Sequence, residues 1–412
     1  MDRREAWKET VRELCFDNDS SDEEDNLFLA TVTAFHESSV TQRGAWGGSV
    51  PGRRRIQRNR LEGHQRLFND YFADPPVYPD YIFRRRFRMK RDLYLKIVEA
   101  VADYDPWFQQ RRNAAGELGL SVLQKVTAAF REATIIESMR RFVRAVVRVF
   151  GDEYLRSPNE EDTARLIAIN EQRGFPGMLG SIDCMHWRWK NYPTAWSGSF
   201  TGHINSPTII LEALASQDLW IWHAFFGMPG WLNDINVLHC SHLLDNLAAS
   251  VAPHVQYSIN GHQYNMGYYL ADGIYPEWAT FVKPISCPLG RKWQHFVVQQ
   301  AAVQKDVERA FEVLQSWFPI VQGATRIWDQ ETLHNIMTAC IIMYNMIIEN
   351  ERPDGEVEHV YDGTGDHVEP LHTPTPSIQA FTHRYGMITS RQGHHQLRED
   401  LVEHLWQLHG GE

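Results

Sequence analysis

Fourteen residues, GMLGSIDCMHWRWK (177–190), set the hardest constraint on this chain, because they carry one carboxylate, Asp183, into a hydrophobic segment flanked by glycine. From Asp183 to Lys190 the period is two. Met185, Trp187 and Trp189 share the parity of Asp183, while His186, Arg188 and Lys190 take the other. That alternation is strand spacing, since successive side chains of a strand point to opposite faces. An ionised Asp on the apolar parity is costly unless it is paired, hydrogen-bonded or bound to a metal. Asp183 is therefore either a buried Asp that caps a turn or one member of a shared site.

The chain is large enough to build such a site. Its 412 residues suffice for two or three domains, and 43% hydrophobic and 12% aromatic content are globular values. The longest apolar stretch, near Thr338–Ile348, is interrupted by Tyr344 and Asn345 and is too short to span a bilayer. No charged-then-apolar leader is legible, so no secretory signal is expected. The five cysteines (Cys15, Cys184, Cys240, Cys287, Cys340) lie far apart without a pairing pattern, which suits a reducing compartment, cytosol or nucleus. A net charge of −11 argues against a protein coated in basic surface and leaves room for local basic patches.

Such patches follow an acidic start. Residues 1–50 read as weakly ordered, with a solvated acidic run at Asp17–Asp25. Residues 53–91 then hold twelve Arg or Lys against four acids. Their two dense clusters, GRRRIQRNR and FRRRFRMKR, flank an aromatic, Pro-rich connector; they serve as an import signal, as phosphate contacts or as a solvated arm. Leu93, Ile97, Val98 and Val101 recur at three and four, which predicts an amphipathic helix over Met89–Asp103. Ser121 is placed to cap a second helix through Phe130. A third, from about Thr134 to Phe150, has the stripe Ile135, Met139, Phe142, Val143, Val146 and Phe150 and a basic flank of Arg140, Arg141, Arg144 and Arg148. That flank is a soluble surface or a path along a nucleic-acid backbone. Together these helices predict a small helical domain over 81–160 after a largely disordered tail over 1–80.

Residues 161–350 alternate helix-like and strand-like segments. One helix precedes the central strand. PTIILEALAS and LWIWHAFFGMPG predict a hairpin that extends the sheet. Asp234 follows at the start of a helix, capped by Asn233 or by itself. Residues 264–271 predict another strand, with Asp272 at its end, and TFVKPI a further short one. A long helix runs from about Phe296 to Phe318. Its stripe is Val303, Val307, Phe311, Leu314 and Phe318, and Glu308 lies about 100° from Val307, at the stripe's edge. Glu308 is either an ordinary flank residue paired with Lys305 or Arg309, or it reaches under the helix toward the sheet.

Asp183, Asp272 and Glu308 together would make an all-oxygen site, which suits Mg²⁺ or Mn²⁺. Two such ions about 4 Å apart activate a water or 3′-hydroxyl and stabilise the leaving oxygen in phosphodiester cleavage. HCSH (His239–His242) lacks a second ligand pair at zinc spacing, and no GxxxxGK[ST] phosphate loop is present.

In combination, FPGMLGSIDCMHWRWKNYPTAW, PTIILEALASQDLWIWHAFFGMPGWLNDINVL, INGHQYNMGYYLADGIYPEWATFVKPI and QKDVERAFEVLQSWFPIV resemble a plant PIF/Harbinger-type transposase. They cover most of residues 174–350, and weaker similarity continues in FRMKRDLYLKIVEAV and HHQLREDLVEHLW. The resemblance implies an α/β fold, a ribonuclease-H-like mixed sheet flanked by helices and preceded by a truncated helix-turn-helix-like domain. It implies a nuclear DDE endonuclease that cuts and joins DNA at element ends with Mg²⁺ or Mn²⁺. Matched position by position, it places metal-binding carboxylates at Asp183, Asp234, Asp272 and Glu308. In that fold the second essential carboxylate follows the fourth strand, which favours Asp183, Asp272 and Glu308 as the catalytic triad and Asp234 as an accessory ligand. His186 would either hydrogen-bond near Asp183 or pack as a strand histidine. The implied partners are DNA, a Myb-like DNA-binding protein and a further copy of the chain, with no membrane.

Some positions depart from the family. Glu312 stands in a slot usually held by Gly, Trp317 in a slot usually held by Arg, and Trp231 in that of a small residue. The segment between Phe130 and Arg131 is short by about a helix-turn, which weakens autonomous DNA binding. A domesticated, catalytically silent descendant serving as a chromatin or transcription partner is the alternative. Residues 351–388 are an acidic, Pro-rich linker. Over 389–412, Leu397, Leu401 and Leu405 predict a final helix that docks on the core.

Overall fold

Among the described residues, helical structure begins at Arg60, inside the stretch expected to be a basic arm. α1 spans Arg60–Tyr71, α2 Asp80–Phe87 and α3 Arg91–Tyr104. The computed structural model describes residues 59–131, 136–202, 205–248, 255–352 and 378–409. The acidic run Asp17–Asp25, the first arginine cluster up to Arg58 and most of the Pro-rich linker (353–377) lie outside the described residues. So do residues 132–135, beside the junction expected to be short.

Aromatic side chains close the first helices on one another. Tyr71, Phe83, Phe87 and Tyr94 are buried, with ring centroids 4.4 Å apart for Phe83–Phe87 and 4.8 Å for Phe87–Tyr94. Leu93, Ile97, Val98 and Val101 form the buried face of α3, as their spacing predicts. The helix stops at Asp105, since the Pro106 ring disfavours a helical residue before it. α4 (Val122–Arg131) starts from a reciprocal cap. Ser121 Oγ accepts the Gln124 N–H at 3.2 Å, and Gln124 Oε1 accepts the Ser121 N–H at 3.0 Å. α5 (Ile136–Tyr154) buries Met139, Phe142, Val143, Val146 and Phe150. Acids of this same chain engage its basic flank: Arg141 meets Glu137 at 2.7 Å and Asp105 at 3.1 Å, and Arg144 meets Glu331 at 2.9 Å.

α6 (Glu160–Gln172) leads into the sheet through Gly174 and Gly177, both at positive φ. In chain order there follow β1 (Met178–Arg188), α7 (Ser197–Phe200), β2 (Thr208–Ala215), β3 (Ile221–Pro229), α8 (Asp234–Cys240) and α9 (Leu243–Ala248). Next come β4 (Tyr257–Ile259), β5 (His262–Tyr264), β6 (Tyr268–Leu270) and β7 (Phe281–Val282). Five strands form one mixed sheet in the order β3-β2-β1-β6-β7. β1, β2 and β3 are antiparallel neighbours, whereas β6 and β7 run parallel to β1. β4 and β5 make a separate hairpin. The single strand expected over 264–271 is thus divided. At the break, Gly267 passes so close to β1 that a Cβ would lie 2.7 Å from the Leu179 side chain.

α10 (Arg291–Trp317) starts five residues before the expected point, after Gly290 at φ 93°. Val303, Val307, Ala310 and Leu314 bury against the sheet, and Asp306 is also buried because Arg173 and Arg309 pair with it. After the short α11 (Pro319–Gln322), α12 (Gln330–Glu351) is capped by Asp329, which accepts the Thr332 N–H at 2.9 Å. α12 packs on α5 and β3. Its Asn345, fully buried, donates to Tyr154 O and Ile221 O at 2.7 and 2.8 Å and accepts the Ile221 N–H at 3.0 Å. α13 (Ile378–Ile388) and α14 (Arg391–His409) complete the described chain. Leu397, Leu401 and Leu405 of α14 are buried beside Phe296 and Val303 of α10. The architecture is mixed α/β, and no described helix is long and apolar enough to cross a membrane.

Candidate active site

Asp183 sits mid-strand in β1, on the face that α10 covers. Ser181, of the same parity, donates its hydroxyl to Val303 O of α10 at 3.3 Å, and Gln315 of α10 reaches Met185 Sδ at 3.0 Å. Asp183 is half-buried, and its Oδ1 accepts the Cys184 N–H at 2.8 Å. Burial first, and then the charges of Asp272, Asp234 and Glu308 in that order, push its carboxyl up to about 7 against the lowering effect of the Cys184 N–H. Three acids from three other elements are therefore close enough for Asp183 to feel each of them.

Each has its own anchor. Asp272 stands two residues beyond β6, the parallel neighbour of β1, and its Oδ1 accepts the Ile274 N–H at 3.0 Å, fixing the turn. Gln300 of α10, buried, donates to Ala271 O at 3.1 Å, immediately before Asp272. Asp234 opens α8, where Asn233 Oδ1 caps by accepting the Asn236 N–H at 3.0 Å. Glu308 lies on the exposed edge of α10, one residue past buried Val307. All four sequence-derived carboxylates thus stand around one region of the sheet. Among the described residues no three His, Cys, Asp or Glu side chains are gathered tightly enough to hold a metal ion.

His186 belongs elsewhere. Its parity turns it to the opposite face from Asp183, where Nδ1 meets Thr208 Oγ1 at 2.9 Å. Trp317 packs 5.3 Å, centroid to centroid, from Tyr344 of α12, and so fills space between helices rather than facing solvent with a charge.

One carboxylate escaped the sequence reading. Glu212 of β2 is fully buried, opposite Cys184 in register, and meets His223 Nε2 at 3.2 Å. Its charge helps to raise the neighbouring Cys184 thiol and Tyr275 hydroxyl, both already pushed up by burial. The only signal was one Glu inside the otherwise apolar run TIILEALA.

The donor set is entirely oxygen, and a half-buried carboxylate raised by three like charges lacks a counter-charge. Both features fit a hard divalent cation. Residues 152–355 match the family described as plant transposon protein, a span that includes all four carboxylates and the whole sheet. Residues 63–102 match a family described only as a domain of unknown function. No curated protein and no solved structure is significantly similar to the chain.

Proposed function

We infer, for a transposase-derived chain whose residues 152–355 match the plant transposon protein family, that the four carboxylates serve metal-dependent DNA cleavage and strand transfer of the PIF/Harbinger type. One observation carries this reading. The helix bearing Glu308 is pinned to both strands that bear the aspartates, through Ser181 Oγ–Val303 O beside Asp183 and Gln300 Nε2–Ala271 O beside Asp272. Hydrogen bonds at these two points tie together the three pieces of backbone that carry acids lying far apart in sequence. The strand order and directions also agree with a ribonuclease-H-like sheet, in which the middle of the first strand and the end of the fourth supply carboxylates.

Asp183, Asp272 and Glu308 would hold a pair of Mg²⁺ or Mn²⁺ ions, with Asp234 as an accessory ligand. Such ions activate the attacking oxygen and neutralise the leaving one. The protein's own part is positioning. Asp183, half-buried in the middle of β1, would be the acid that the other three surround. Asp272 is held by its turn, and Glu308, exposed on the helix edge, would need to swing toward the aspartates to join them on a metal ion. Two of the four arginines on the flank of α5, Arg141 and Arg144, are already engaged by Glu137, Asp105 and Glu331, which leaves less of it for DNA. By the family resemblance, end recognition would fall to a Myb-like partner, in the nucleus.

A calorimetric Mn²⁺ titration compares the full chain with Glu308→Gln, beside cleavage of element-end DNA by the chain and by Asp183→Ala. Wild type binds Mn²⁺ and cuts, Glu308→Gln binds at least about tenfold more weakly, and Asp183→Ala does not cut; cleavage by Asp183→Ala equal to wild type would sink the reading. A catalytically silent chromatin partner is the second reading, favoured by Trp317 packing on Tyr344 where a guanidinium would meet phosphate. It predicts DNA or chromatin binding with no metal-dependent turnover.

A further inference from the structure

All three tryptophans that are exposed among the described residues stand at one end of the sheet, where β1 and β3 finish and β2 begins. Trp196 is 42% exposed, Trp231 57% and Trp328 68%. Single exposed rings are ordinary; three at one place mark a contact surface. The buried Trp189 links two of them: its ring lies 6.2 Å from that of Trp196, and its Nε1 donates at 2.8 Å to the carbonyl of Ile327, the residue before Trp328. Trp196 in turn stacks on Phe200. Trp231 follows Gly230, which donates to Thr208 O at 2.9 Å and passes so near Gly202 that a Cβ there would lie 2.0 Å from its carbonyl. Each ring is thus carried by backbone that cannot move far.

The same end is basic. Arg188 and Lys190 are exposed at the finish of β1 and have no ion-pair partner among the described residues. Lys190 N donates to Thr325 O at 2.8 Å, which keeps this strand end against the segment that carries Trp328. The patch also adjoins the carboxylates. Trp231 is three residues before Asp234, and Arg188, whose parity turns it to the opposite face from Asp183, is five residues along β1 from it, about 16 Å at strand rise, so a strand leaving the acids reaches it by passing round the end of β1. A few extended nucleotides span that gap.

We propose that this end of the sheet is a stacking platform for unpaired bases of a DNA strand leaving the carboxylate site, a reading that rests on DNA being the substrate. Indole faces stack on any base and guanidinium and ammonium groups neutralise the phosphates between them, so the platform is indifferent to sequence. A closed duplex keeps its base faces covered and cannot use it.

The test uses the full chain in EDTA, so that binding is read without cleavage. The probes are a labelled single-stranded oligonucleotide and its blunt duplex. Trp231→Ala and Trp328→Ala each weaken single-strand binding by about five- to a hundredfold and leave duplex binding within about twofold. Trp328→Phe retains a ring and keeps most of the affinity, which separates stacking from misfolding. Arg188→Gln lowers the salt slope on the single strand by about 0.7. Equal loss on both probes, or no loss on the single strand, overturns the platform while the nuclease reading stands. Failure of wild type to bind either probe removes both. Loss of self-association in Trp328→Ala with unchanged DNA binding assigns the patch to a protein contact and also overturns it.

Discussion

At the scale of the residue, Asp183 titrates in an unusual window. Burial and three like charges raise it from 3.8 to about 7. The folded chain therefore holds this proton where the unfolded chain has released it. Its stabilising effect is fully present below about pH 4 and is lost as pH rises to about 7, a difference of at most about 4 kcal/mol. Urea unfolding at pH 5 and pH 8 checks this: Asp183→Asn, which does not titrate, loses less stability across the interval than wild type. Mn²⁺ added at pH 8 raises the wild-type midpoint and leaves that of Asp183→Asn nearly unchanged. Glu212 offers a contrasting case. Glu212→Ala removes a buried partner of His223 and costs about 1–3 kcal/mol in urea unfolding, whereas Glu212→Gln costs less.

At the scale of the element, α10 acts as a brace. Gln300→Leu leaves Ala271 O and Val282 O without their side-chain donor and costs about 1–3 kcal/mol. It also loosens the spacing between Asp272 and Glu308, so Mn²⁺ affinity in the folded variant falls, as calorimetry would read. Asp306→Ala leaves Arg173, partly exposed, with Asn170 Oδ1 as its remaining partner and costs about 1–3 kcal/mol in chemical unfolding. Much of this arrangement was legible beforehand. The period of two at Asp183–Trp189, the stripes of α3 and α5 and the stripe of α10 are local patterns; the first put Asp183 on a strand and the last put Glu308 on a helix. What stayed hidden is set by tertiary contact. The first turns of α10, Arg291–His295, are too polar to show a stripe. The strand expected over 264–271 breaks because Gly267 must pass Leu179. β2 is buried along its whole length, so no alternation betrays where Glu212 points. How near the four acids come to one another is likewise fixed by packing that periodicity does not record.

At the scale of the whole molecule, side chains remote from the acids hold the parts together. Asn345 of α12 joins Tyr154, at the end of the N-terminal helices, to Ile221 of β3. Asn345→Leu leaves those backbone groups unpaired and lowers stability by about 2–4 kcal/mol, measured by urea denaturation. Leu401→Ala opens a cavity where α14 packs beside Phe296 and Val303 of α10 and costs about 2–5 kcal/mol. Asp400, buried on α14, accepts from His262 and Tyr264 and so ties the tail to the β4–β5 hairpin. That tail also covers the flank of α10 that carries Phe296 and Val303. Translation that stopped within the linker would release a polypeptide with its whole sheet and all four acids, yet with a greasy groove open along the helix that aims Glu308. On the nuclease reading, a premature stop codon there would disarm the protein without removing any of the four acids.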